Sequence, residues 1–225
     1  MIETKIDFCS FEAAKYAVTH WHYSKSMPAG KTVKIGLWEN SFFVGAIVYG
    51  LGANKNINKE FGLQSYEVCE LCRIAFTHHE TPVSRALSIS LKMLKKQSPG
   101  LKVVVSYADA NQGHNGAIYQ AMNWIYLGEF AREQGIPLNG KLVHRRTISA
   151  RYNTSSLEWL RQNVDKNSDV IRGLPKYKYI YVFDKMLKEK YAEKGMKYPK
   201  RERGEIDNAP ESNRETGGAS PTRSL

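Results

Sequence analysis

Leu101-Lys102-Val103-Val104-Val105-Ser106-Tyr107-Ala108-Asp109 decides how this chain folds. An unbroken apolar run, without the alternation of a half-exposed strand, reads as a strand buried on both faces, as in parallel pairing. Parallel neighbours require a long crossover, and the sequence supplies one. Tyr66 to Phe76 reads as the preceding strand, and Thr81-Pro82 offers a capping hydroxyl and a first-turn proline to a helix through Leu87, Leu91 and Leu94 that ends at Gly100. Ligands of such sheets bind beyond the carboxyl ends of the parallel strands, where helix N-termini also point free amides. Polar groups gather at those ends here: Glu70 and Arg73, Ser84 and Arg85, then Ser106 and Asp109, with the loop Asn111-Gln112-Gly113-His114-Asn115 leading into Tyr119. The segment reads as an active-site cassette.

Upstream, Ser10 caps a helical stripe of Phe11, Ala14, Ala17, Val18 and Trp21, and a basic, turn-rich loop runs from His22 to Thr32. Val33 to Trp38 and Phe42 to Tyr49 form a hairpin across Glu39-Asn40-Ser41. Gly50 to Ser65 reads as a long loop, of the kind that serves as a lid or binding loop. Downstream come a short helix from Asn115 to Met122 and strands at Ile125 to Phe130 and Lys141 to Ser149. A capping box at Ser155-x-x-Glu158 starts a helix through Leu157 and Leu160. Lys176 to Phe183 alternates Tyr177, Tyr179, Tyr181 and Phe183 on one face, and Asp184 caps a final basic helix to about Lys194. From Pro199 onward apolar residues almost vanish, which predicts a catalytic domain over 1–198 and a disordered tail over 199–225.

With 33 Lys and Arg against 22 Asp and Glu, the chain carries a formal charge of +11 and should attract polyanions, DNA or RNA first among them. Its 13 Tyr and 4 Trp supply stacking surfaces for unpaired bases. No apolar stretch is long enough to span a membrane and the first residues lack a signal-peptide core, so a cytoplasmic protein with no membrane partner is expected. Cys69-x-x-Cys72 lies in a strand pattern and has no second cysteine pair, so Cys9, Cys69 and Cys72 read as buried structural thiols.

Taken in order, His22-Tyr23-Ser24, Glu70-Leu71-x-Arg73-x-Ala75-Phe76, Ser84-Arg85-Ala86 and Ser106-x-Ala108-Asp109, followed by Gln112, Gly116 and Tyr119, resemble the Mom DNA-modification proteins of Mu-like bacteriophages. The resemblance covers roughly residues 15 to 185. It implies an acetyltransferase-like α/β fold: a mixed, largely antiparallel sheet with a central parallel strand pair and flanking helices. It also implies transfer of a carbamoylmethyl group to the exocyclic amine of adenine in double-stranded phage DNA, which protects that DNA from restriction nucleases. The residues it assigns to catalysis are His22, Tyr23, Arg73, Ser84, Asp109 and Tyr119, with Ser84, Arg85 and Ser106 for substrate or anion binding, a role for which Lys25 in the basic loop is a further candidate. It further suggests iron, for which His22, Glu70 and Asp109 are the candidate ligands.

The residues themselves leave alternatives open. Acetyltransferases grip the coenzyme A pyrophosphate with a glycine-rich loop before the central helix; here the loop is Thr77-His78-His79-Glu80-Thr81-Pro82, with no glycine, which argues against acetyl coenzyme A. Ser84 and Arg85 are either an anion site or a cap and a solvated charge. Glu70 and Arg73 inside an apolar strand are either a structural ion pair or working groups, and only a bulge between them brings both to one face. Asp109 either serves the chemistry or closes an Asx-turn. Lys25, Lys31, Lys55, Lys59, Arg145, Arg146 and Arg151 are candidate phosphate contacts, and Tyr23, Trp124 and Tyr152 candidate stackers. The rivals to DNA modification are an acetyl-coenzyme-A-dependent acyltransferase and a non-enzymatic DNA-binding protein.

Overall fold

The computed structural model describes residues 2–54, 56–130, 134–138 and 141–200. Lys55, the Arg146 side chain and the tail beyond Lys200 lie outside the described residues, and with them the expectations placed there. The chain divides into two compact units, Met1–Phe61 with Cys69–Gly100, and Gly62–Val68 with Leu101–Lys200.

The first unit contains β1 (Thr4–Phe8), α1 (Phe11–Trp21), β2 (Thr32–Glu39), β3 (Phe42–Gly50), α2 (Ile57–Phe61), β4 (Val68–Phe76) and α3 (Val83–Gln97). Ser10 caps α1, its Oγ accepting the Ala13 amide at 3.1 Å. The β2–β3 hairpin turns on Asn40 and Ser41, both left-handed at φ 48° and 70°, a primed turn whose twist matches that of the strands. Small residues let α1 sit close on the sheet: Ala14, Ala17 and Val18 pack on Ala46, Val48 and Ala75, all fully buried. The opposite face meets α3, where the Tyr49 hydroxyl and Ser90 Oγ stand 2.6 Å apart among buried Leu87, Leu91 and Leu94.

Two elements here go beyond the sequence reading. β1 pairs antiparallel with β2, and α2 interrupts the expected loop from Gly50 to Ser65, burying Ile57 and Phe61 on one side of a single turn. The Thr81 hydroxyl does not cap α3. The Pro82 carbonyl accepts the Arg85 and Ala86 amides instead, at 2.9 and 3.1 Å, while the Thr81 hydroxyl stands 3.1 Å from that of Thr4.

The second unit contains β5 (Val103–Asp109), α4 (Ala117–Ala121), β6 (Ile125–Phe130), β7 (Gln134–Leu138), β8 (Lys141–His144), α5 (Arg145–Tyr152), α6 (Leu157–Asn163), β9 (Ile171–Arg172), β10 (Lys176–Val182) and α7 (Lys185–Ala192). β10 lies between β5 and β6 and pairs antiparallel with both. A layer of Tyr119, Trp124, Tyr126 and Tyr179 is buried there, so Trp124, 1% exposed, is core and offers no face to a base. Between β6 and β10 is an insertion with its own three-stranded sheet, β8-β7-β9, and its own core of Ile136, Leu138, Ile148 and Leu160. The strand expected over Lys141 to Ser149 therefore stops at His144 and continues as α5, because Ile148 and Tyr152, four apart, turn inward together. The α6 cap is Ser156 rather than Ser155, its Oγ accepting the Trp159 amide at 3.4 Å.

The main sheet has the order β1-β2-β3-β4-β5-β10-β6, mostly antiparallel with one parallel pair and flanked by helices, which is the mixed α/β class the sequence implied. No helix among the described residues is long and apolar enough to cross a membrane.

Candidate functional site

The register of β4 against β3 settles how Glu70 and Arg73 are aimed. Gly50 faces Glu70, Tyr49 faces Leu71 and Val48 faces Arg73, so Cys72 is an extra residue. That bulge cancels the alternation between positions three apart and puts Glu70 and Arg73 on one face, the face that α1 covers. Glu70 lies against the left-handed Gly52 at φ +68°, where a Cβ would collide with its carboxylate. The Arg73 guanidinium donates from Nε to the Ser26 carbonyl at 3.2 Å and from Nη1 to the Cys72 carbonyl at 2.7 Å. One arginine thus fastens the loop after α1 to the bulged strand.

That loop carries His22, Tyr23, Ser24 and Lys25. His22 is buried, and its Nδ1 accepts the Ser24 amide at 3.1 Å and lies 2.9 Å from Ser24 Oγ. A nitrogen that accepts an amide proton has a lone pair there, so the neutral ring carries its proton on Nε2. Tyr23, 48% exposed, packs its ring on His22 at 4.3 Å. Lys25 sits in a left-handed turn, φ 49°, and its Nζ donates to the His20 carbonyl at 2.6 Å, closing the C-terminus of α1.

At the start of α3, Ser84 is half-buried and Arg85 exposed. The amides just before this helix are occupied from within the chain. Glu39, at the end of β2, takes the Glu80 amide at 3.1 Å with both carboxylate oxygens and the Thr81 amide at 2.6 Å. Burial alone would raise the Glu39 pKa, but the hydrogen bonds from the Thr81 hydroxyl and the Thr81 and Glu80 amides outweigh it and hold the group below its ordinary value. A resident anion stands where a glycine-rich loop would offer its amides to phosphates. Sequence reasoning missed Glu39, and no local signal marked it.

In the second unit Asp109 is 7% exposed at the end of β5. Its Oδ1 accepts the Asn111 amide and side-chain amide, each at 3.0 Å, and its Oδ2 lies 3.9 Å from Lys176 Nζ. The turn role foreseen for it is realised, with a lysine added. Ser106 lies three residues away on the other face of this regular strand, so the pleat separates the two ends of the expected cassette. Ser106 Oγ donates to the Tyr119 hydroxyl at 2.8 Å, both groups buried. Gly116, left-handed at φ +83°, leaves room for the Tyr179 ring, whose hydroxyl donates to the Asn115 carbonyl at 2.7 Å and accepts from Gln120 at 3.0 Å. Burial pushes the Tyr179 phenol up to about 12, so it stays protonated. Lys178 was also missed; it is 3% exposed in a strand whose polar positions read as outward.

Among the described residues, no group of three or more His, Cys, Asp or Glu side chains could hold a metal ion. The three cysteines are free thiols; burial pushes Cys9 up to about 11 and Cys72 up to about 12 and raises Cys69 as well, which suits structural packing and not nucleophilic work.

Among curated proteins, the chain is 27% identical over 207 residues to the methylcarbamoylase Mom of Escherichia phage Mu, covering 88% of this chain and 84% of that one. Among solved structures it is similar to the ribosomal-protein-S5-alanine acetyltransferase of Vibrio fischeri, with 6% identity, a TM-score of 0.43 and coverage of 81% and 94% of the two chains. It is also similar to an N-acetyltransferase of Staphylococcus aureus Mu50, with 12% identity, a TM-score of 0.41 and coverage of 81% and 97%. The Mom protein family model matches residues 3–200, which take in the His22 loop, the bulged β4, the start of α3 and the Asp109 turn, and the chain belongs to that family.

Proposed function

We propose that this protein is a phage DNA-modification enzyme that converts adenine in double-stranded DNA to its N6-carbamoylmethyl derivative and so shields the DNA from restriction nucleases. The observation that carries the reading is the family match over residues 3–200. The phage Mu relative, named a methylcarbamoylase, supports the nature of the added group.

The exocyclic amine of adenine is a weak nucleophile and is paired in the duplex, so the base must leave the stack before it reacts. In the transfer, N6 bonds to the carbamoylmethyl carbon and gives up one proton, while the donor's leaving group departs with its electron pair. Asp109, which accepts from Asn111 and lies 3.9 Å from the Lys176 ammonium nitrogen, is the proton acceptor. Tyr119, bonded by Ser106 on the face of β5 opposite to Asp109, packs behind the turn as a support. Within the first unit, His22, with its proton on Nε2, and Arg73 present N–H donors of the kind that suit an amide oxygen. The exposed Tyr23 ring is a platform for the flipped base. Ser84 and Arg85 hold an anionic part of the donor or a DNA phosphate.

An acyltransferase using acetyl coenzyme A is the rival that the fold class favours, and Glu39 on the Glu80 and Thr81 amides counts against it. Mass spectrometry of nucleosides from DNA of cells expressing the chain separates the readings. A deoxyadenosine heavier by one carbamoylmethyl group is the expected result. Unmodified nucleosides, from cells that hold folded protein, would refute the proposal.

A further inference from the structure

The insertion between β6 and β10 has no part in the chemistry above, yet it is a folded body with its own sheet and core. We infer that it is an arm that docks on the backbone of double-stranded DNA, with α5 as the contact element. The inference rests on the DNA-modification reading and adds the surface that holds the substrate.

Three observations support it. First, α5 reads Arg145-Arg146-Thr147-Ile148-Ser149-Ala150-Arg151-Tyr152, three arginines in eight residues with no acid. Arg145 and Arg151 are exposed and meet no carboxylate among the described residues. The contrast lies within the insertion itself: Arg161 of α6 is committed to structure, donating to the Ser168 carbonyl at 2.8 Å and lying 3.7 Å from Asp169. The cations of α5 are left for a ligand, and a ligand that attracts only cations is a polyanion.

Second, Ile148 turns into the core while Thr147, Ser149 and Ala150 are exposed, so the outer surface of α5 is small between its arginines. A helix with a slim outer face can approach a backbone closely. The proposed reaction on adenine in duplex DNA makes DNA, and not RNA, the polyanion that this surface holds. Beside the last turn, Tyr152 and Trp159 pack at 5.7 Å, with Trp159 38% exposed, and the Arg151 guanidinium lies 6.0 Å from the Tyr152 ring.

Third, the base of the arm is fastened to the Asp109 turn. Asn111 donates from Nδ2 to the Leu174 carbonyl at 3.1 Å and accepts the Leu174 amide at 2.9 Å, and the Ala110 amide donates to the Pro175 carbonyl at 3.2 Å. The same Asn111 bonds the Asp109 carboxylate, so the arm and the proposed base share one anchoring residue.

The test uses the full chain and a labelled duplex oligonucleotide, with affinity measured by fluorescence anisotropy across a salt series. The Arg145→Ala, Arg151→Ala double variant should bind more weakly and lose about 2 from the slope of log affinity against log salt, roughly one per phosphate contact removed. The double arginine-to-lysine variant should keep the wild-type slope. Lys185→Ala with Lys188→Ala, an equal charge loss on the exposed side of α7, should change the slope far less. Equal loss in both alanine pairs, or an unchanged slope in the α5 pair, would overturn the arm; modified adenine from cells expressing the wild type would leave the catalytic reading standing. Tighter binding of duplex RNA than of DNA would also overturn it. A wild-type chain that neither binds duplex DNA nor modifies adenine would remove both readings.

Discussion

Glu39 gives the sharpest test of how this scaffold differs from a phosphate-gripping one. Its carboxylate holds two backbone amides from a segment some forty residues away, and Thr81 is 5% exposed while Glu80 is exposed. In Glu39→Ala the Thr81 amide is left buried without its acceptor, whereas the Glu80 amide returns to water. A hydrogen bond to a charged group contributes about 1.5–3 kcal/mol; counting the Thr81 bond in full and the Glu80 bond in part gives a loss of about 2–4 kcal/mol. Glu39→Gln keeps a neutral acceptor and should lose about half as much.

Acid supplies a second signature. Since the folded state holds Glu39 below its ordinary value of 4.5, its stabilisation is complete above that pH and disappears as pH falls through the lower folded value. The gap between wild type and Glu39→Ala should therefore be constant near neutrality and shrink below about pH 4.5. Urea unfolding followed by circular dichroism at several pH values measures both effects. A Glu39→Ala chain within about 0.5 kcal/mol of wild type at neutral pH, the range of a plain surface substitution, would refute the reasoning, as would a gap that fails to close in acid.

Other expectations follow from the geometry. Asp109→Asn preserves an acceptor for the Asn111 amide but removes the charge, so nucleoside analysis should show less than about a tenth of wild-type modification, about 1.4 kcal/mol in barrier, with an unchanged circular dichroism spectrum. Gly116→Ala forces a Cβ into the Tyr179 ring from a left-handed backbone and should lower stability to urea by about 2–4 kcal/mol; a neutral result would mean that α4 is not fixed by that contact. At pH 8, iodoacetamide should label Cys9 and Cys72 only after denaturation, since thiols pushed up to about 11 and 12 hold almost no thiolate; rapid labelling of the folded chain would contradict their burial.

What the sequence made legible was whatever is encoded locally or by period. The α1 cap, the Asn40-Ser41 turn and the apolar β5 run were each readable from a few neighbouring residues. The β4 bulge was readable as a condition: Glu70 and Arg73 could share a face only if an extra residue stood between them, and Cys72 is that residue. Other features were hidden because their cause is distant. β1 is short and edge-placed and takes its shape from pairing with β2. β7 contains Gly135 and Pro137, both poor strand formers, and holds only because β8 and β9 pair with it. α5 continues directly from a strand, and its period shows in only two inward positions, Ile148 and Tyr152. The separation of Ser106 from Asp109 was available from the period of two, but a shared position at the strand end suggested a shared face.

The scaffold keeps one device associated with acetyltransferase-like folds and gives up another. The β4 bulge persists, and it aims side chains. The glycine loop is replaced by a carboxylate that consumes the amides before α3. The Glu80 and Thr81 amides are not open to a ligand, so the proposed reading places recognition on side chains such as Arg73, Ser84 and Arg85. Recognition through side chains is both more selective and more fragile. A backbone cradle tolerates substitution at its own positions as long as the turn survives, whereas removing Arg73 takes away a donor and also releases the His22 loop from β4 at Ser26. In the proposed reading Arg73 therefore has two separable roles. Arg73→Lys can keep the Ser26 tie while losing the planar fork, and it distinguishes a loop fastener from a group that holds the reacting amide.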